Sequence, residues 1–151
     1  MKITFFSNFL NHHQLPFCLE MYRILGDNFI FVSTELIPNE RLKLGYQEMK
    51  DNFPFLLESY LSPSHKSKAE ALALASDFVI FGSAPKSYIK KRIKKHLPTL
   101  IYSERIFKNK NGQLDLRWFY YLYIYHIIYR NRVGVLSASY YLPKELKQLF
   151  V

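Results

Sequence analysis

The chain has 151 residues, of which 49% are hydrophobic and 17% aromatic. That suffices for one domain with a sizeable core and excludes a disordered or low-complexity chain. The net charge of +9 is lopsided: residues 1–77 carry 7 Lys/Arg against 9 Asp/Glu, and residues 78–151 carry 14 against 3.

Such asymmetry points to an anionic partner for the second half, against the plainer reading of a solvated basic surface. The single Cys18 excludes an internal disulfide and fits a reducing compartment. The first ten residues lack the apolar run of a secretory signal, so a cytoplasmic protein is expected. No internal repeat is visible.

The opening "KITFF" (Lys2–Phe6) reads as a buried strand. A polar turn, "SNFLNHHQLPFC", follows, and then a helical face of Phe17, Leu19, Met21, Tyr22 and Leu25 that Gly26 closes. "NFIFVST" (Asn28–Thr34) is the second strand, so strand, helix and strand make a βαβ unit with parallel strands. Residues 35–68 are less regular, and periodicity leaves "FPFLLESYL" open between strand and short helix. Ser67–Asp77 is a helix, with Ser67 and Glu70 at capping-box spacing.

"FVIFGSAP" is the third clear strand with its exit turn, and "KSYIKKRIKKHL" is a helix. "TLIYSE" is a fourth strand, "DLRWFYYLYIYHIIYRNR" a long aromatic helix and "VGVLSAS" a fifth strand. "PKELKQLF" is a last helix with Pro143 as its first residue. The alternation predicts an open, mostly parallel α/β sheet with helices on both faces. Sheets of this kind bind ligands beyond the carboxyl ends of their strands. Four of the five ends here begin with serine and the fifth with Gly-Ser, and that convergence is the strongest pointer to a site.

His12 and His13 lie just past the first strand, where an imidazole can act as a general base. As neighbours on a loop or first helical turn they are expected to point about 100° apart. The competing reading makes both, with Asn11, capping and surface residues of the first helix. Glu104 and Arg105 follow the fourth strand, where a carboxylate beside a guanidinium can orient a sugar hydroxyl or a phosphate, or form a rim salt bridge. Gly82 and Ser83 open the basic helix, where free N–H groups suit an anion, although "GSAP" is not a phosphate loop.

Lys86, Lys90, Lys91, Arg92, Lys94 and Lys95 crowd that helix without an acid, while Ile89, Ile93 and Leu97 form its buried stripe. This is the pattern of a membrane-surface helix, with about 1 kcal/mol per cation near anionic lipid. It lacks the exposed aromatics that stack bases, so nucleic acid is not the expected partner. Trp118–Tyr129 holds no charge, yet a 12-residue helix spans only about 18 Å, too short to cross a bilayer. It is expected to be buried or interfacial.

No GxGxxG follows the first strand, so no dinucleotide cofactor is expected, and no GxSxG marks a hydrolase elbow. No DxD is present, and His12, His13 and Cys18 do not have zinc-site spacing. The E-x7-E spacing of Glu40 and Glu48 is assigned to chance.

"MKITFFSNFLNHHQLPFCLEMY", "ASDFVIFGSAP" and "LIYSERIFK" together resemble the N-terminal half of GT-B glycosyltransferases of the bacterial family-4 type, over nearly the whole chain. The resemblance implies a Rossmann-like acceptor-binding domain in residues 1–151, facing a nucleotide-sugar donor domain that lies outside this chain. It implies metal-free transfer of a sugar to a glycan or lipid-linked acceptor, in bacterial surface polysaccharide or glycolipid synthesis, with this part alone inactive. By the same resemblance His13 or His12 is the catalytic base. Asn8, Asn11, Gly82, Ser83, Glu104 and Arg105 line the acceptor cleft, and Lys86–Lys95 meets the inner face of the membrane. Where many relatives have a glycine-rich turn after the first strand, this chain has "SNFLNHH". The alternative is a non-catalytic basic module that binds anionic membrane or nucleic acid. A receiver-like domain ranks last, for want of an acidic cluster.

Overall fold

The computed structural model describes residues 1–47, 53–104, 120, 123, 124, 127 and 133–148. Six strands form one sheet: β1 (Ile3–Ser7), β2 (Phe29–Ser33), β3 (Leu56–Glu58), β4 (Phe78–Phe81), β5 (Thr99–Ser103) and β6 (Val133–Ser137). Their order across the sheet is β3-β2-β1-β4-β5-β6, and every pairing is parallel. This is the Rossmann-like arrangement, in which the order of strands reverses between β1 and β4. Beside the five expected strands stands β3, which resolves "FPFLLESYL" as a strand. Its three residues are too few to show a period of two.

The helices are α1 (Leu15–Leu25), α2 (Asn39–Lys43), α3 (Pro63–Ala75), α4 (Ser87–Lys94) and α5 (Leu142–Gln148). Alternate side chains of the strands feed two cores. Phe6, Val32, Leu57, Val79 and Phe81 pack with Ala69, Leu72 and Ala73 of α3 and Ile89 of α4. Ile3, Phe5, Phe29, Phe31 and Ile80 pack on the other face with Cys18 of α1. Strand β1 is buried throughout, as a central parallel strand covered on both faces must be.

Three expectations about the helices need correction. The expected apolar face of α1 is incomplete: Cys18 is its buried residue, whereas Phe17 and Leu19 stay exposed. Helix α3 starts before Ser67, because Ser62 accepts the N–H of His65 on its hydroxyl and Pro63 presets the first turn. Ser67 and Glu70 therefore lie inside the helix and form no capping box. Pro143 is the second residue of α5, which begins at Leu142. The aromatic run Trp118–Tyr129 lies mostly outside the described residues, and no described helix is long and apolar enough to cross a membrane.

The basic helix departs from expectation twice: Leu97 lies beyond its end, outside the expected buried stripe, and Arg92 is not a surface cation. Arg92 is fully buried, not on the cationic surface. Its guanidinium donates to the carbonyls of Ala73, Ser76, Asp77 and Pro98, at 2.5–3.2 Å, and to the Thr99 hydroxyl at 3.3 Å. Burial lowers its pKa and nearby Asp77 opposes that shift. Arg92 thereby ties the end of α3 and the starts of β4 and β5 to α4. His96 ends α4 with a φ of 53°.

Burial pushes the Cys18 thiol up to about 12 from an ordinary 9.0. A thiol whose pKa rises on folding gives its full stabilisation below the unfolded value and loses it as pH climbs through the folded one. Between pH 9 and about 12 we expect stability to fall at up to about 1.4 kcal/mol per pH unit from this group. Tyr102, raised by burial first and then by Glu104 and Cys18, adds to the decline. Urea midpoints across this range should fall less steeply in Cys18→Ala; an unchanged slope would remove the assignment.

Candidate functional site

Since all six strands run parallel, their carboxyl ends share one edge of the sheet, as the sequence predicts. The centre of that edge is the β1–β4 reversal. Gly82 donates its N–H to the Phe6 carbonyl at 2.8 Å, which continues the ladder past β4. A Cβ on Gly82 would stand 3.4 Å from the Phe5 ring, the Phe6 carbonyl oxygen and the Ser7 hydroxyl. A side chain there would be in ordinary contact with β1, so the two strand ends lie side by side.

After β1 the chain builds a network of its own polar groups. Ser7 donates its hydroxyl to the Asn8 side-chain carbonyl at 3.2 Å, and Gln14 donates its amide to Ser7 Oγ at 3.2 Å. The Asn8 backbone carbonyl accepts the N–H groups of Thr34 and Glu35, both at 2.8 Å, and joins the exits of β1 and β2. Leu10 donates its N–H to the Ser33 hydroxyl, and Ser59 donates its own to the Ser33 carbonyl. Among the described residues no buried side-chain nitrogen or oxygen lacks a partner. The network is therefore a rigid frame, and a ligand would be met by the exposed groups at its rim.

Those groups include both imidazoles. Asn11 takes the N–H of His13 at 3.0 Å and of Gln14 at 3.2 Å on its side-chain oxygen, so it is a turn residue that caps the entry to α1. Residues 12–14 are in that turn, and the expected divergence of about 100° does not occur there. The His12 and His13 rings instead lie 3.9 Å apart, both exposed.

Sequence reasoning missed Tyr46. Its ring centroid lies 5.2 Å from that of His12 and 6.5 Å from that of His13, with the Arg41 guanidinium 5.6 Å above it. Tyr46 comes from the irregular stretch after β2, where no period or motif singles it out.

Asn8, Asn11, Gly82, Ser83 and Glu104 thus follow β1, β4 and β5 at one edge, with Ser83 and Glu104 exposed. Glu104 accepts the Ser139 hydroxyl on its backbone carbonyl, which links the exits of β5 and β6. Arg105 lies outside the described residues. Of the expected lipid-facing cations, Lys86, Lys90, Lys91, Lys94 and Lys95 are exposed and Arg92 is not. Among the described residues no three His, Cys, Asp or Glu side chains are placed to hold a metal ion. No family model matches the chain, and no curated protein or solved structure matches it either.

Proposed function

We propose that the domain binds the acceptor in a GT-B-type glycosyl transfer, with the nucleotide-sugar half of the site on a second domain. What carries the reading is the β1–β4 reversal, whose rim offers imidazoles, amides and hydroxyls where a dinucleotide-binding domain would have a glycine-rich phosphate turn. Neutral hydrogen-bonding groups over a rigid frame suit a polyhydroxyl ligand, and an exposed imidazole suits removal of a hydroxyl proton. Exposed lysines on α4 would hold a lipid-linked acceptor's membrane close to this edge.

Two measurements test the reading. Amide shifts of the chain titrated with acceptor glycans should cluster at residues 7–14, 82–83 and 103–104; no saturable shift with any glycan would sink it. In the transferase that contains this domain, His13→Ala or His12→Ala should slow transfer by roughly 10²–10⁴-fold for the residue that serves as base. Unchanged rates in both variants would remove the base assignment.

A further inference from the structure

A second site lies away from the strand ends. A cleft of about 480 Å³ runs along α4, and Ile89, Ile93 and Ile124 are its apolar lining among the described residues. That volume is within the roughly 300–1,000 Å³ typical of small-molecule sites. Lys86, Lys90 and Lys94 line it at every fourth position, about 6 Å apart along the helix axis. Lys86 is engaged at one end, donating to the Tyr120 hydroxyl at 2.7 Å with its ammonium 5.2 Å from the ring centroid. Among the described residues, Lys91 and Lys95 do not line the cleft, and no carboxylate does.

The lysine stems can lie along apolar wall while the ammonium groups stay at the opening. Two chemistries therefore meet in one place. The apolar walls disfavour polar solutes, and the exposed Lys90 and Lys94 favour an anion.

We propose that this cleft binds one alkyl chain of a single-chain anionic amphiphile, with its phosphate or carboxylate held by Lys90 and Lys94. The proposal goes beyond the acceptor reading: the cleft shares no residue with the rim of the strand ends, and only its lysines also belong to the membrane contact proposed above. It also differs from adsorption on a membrane. Adsorption would use all the exposed lysines of α4 alike, whereas the cleft uses one row of them.

The test is titration calorimetry of the whole chain with octyl, decyl and dodecyl phosphate, each below its micelle concentration. Binding should saturate at one site, and affinity should rise about three- to fourfold per added methylene until the cleft is full. Lys90→Glu combined with Lys94→Glu should weaken dodecyl phosphate about tenfold or more, whereas Lys91→Glu combined with Lys95→Glu should change it little. Ile124→Asn, which puts an amide in the wall without adding charge, should flatten the chain-length dependence. Circular dichroism melts verify that each variant is folded. Absence of saturable binding, affinity independent of chain length, or equal losses from the two lysine pairs would each overturn the proposal. Equal losses on anionic vesicles together with no binding of free amphiphile would identify plain surface attraction.

Discussion

Arg92→Leu is expected to remove about 3–5 kcal/mol of folding stability, a large part of what a domain of this size possesses. The substitution leaves the buried carbonyls of Ala73 and Ser76 without the guanidinium, and removes it from the half-buried bonds to the carbonyls of Asp77 and Pro98, of which Pro98 keeps the Val79 N–H. Each orphaned buried carbonyl costs about 1–3 kcal/mol, less whatever water can reach it. Arg92→Lys should lie between the two, because one ammonium cannot reproduce a planar fork of five donors. Urea unfolding followed by circular dichroism measures both. A loss below about 1 kcal/mol in Arg92→Leu would mean that water replaces the guanidinium, and that the corner is not held as described. A lipid-contacting Arg92 would behave in the opposite way, with vesicle binding lowered and stability untouched.

Phe5→Ala is the second large effect expected. The ring sits in β1 with Phe31 at 5.1 Å, Tyr102 at 5.5 Å and Phe17 at 5.9 Å between centroids, each edge-on. It joins strands β1, β2 and β5 to helix α1 and lies directly beneath Gly82. Truncation should cost about 3–5 kcal/mol, the range for a buried phenylalanine with few ways to collapse. Phe5→Leu keeps most of the volume and should cost below about 1.5 kcal/mol. The same ring supports the rim from below, so Phe5→Ala should also weaken any glycan titration more than its stability loss predicts. A Phe5→Ala protein with native glycan shifts would detach the core from the site.

Most of the fold is legible in the chain because its strands obey a simple rule. A central parallel strand is covered on both faces, so "ITFFS", "FIFVS" and "FVIF" announce themselves as short apolar runs. The convergence of their polar exits follows from the parallel sense alone. What stays hidden depends on contacts far apart in sequence. Arg92 stands among lysines and looks like them, yet it lies three residues from Ile89 and next to Ile93, on the flank of the apolar stripe. Only the carbonyls of another corner, 6 to 19 residues away, show why the chain has a guanidinium there. Tyr46 is hidden for the same reason, since its neighbours His12 and His13 belong to a different loop. The turn at Asn11 is visible in residue type, but the close approach of the two imidazoles depends on backbone that no period describes.

The place of β1 in the sheet bears on how the protein is made. Its partner β2 arrives within one βαβ unit, but β4 follows about 75 residues behind it. At roughly 5–20 residues per second of synthesis, one edge of "ITFFS" waits about 4–15 seconds for its ladder. During that time a phenylalanine-rich strand shows unpaired amides and carbonyls to whatever is near. A nascent chain of this protein should therefore depend on early shielding by chaperones, and slowed translation between β2 and β4 should lower soluble yield more than slowing after β5.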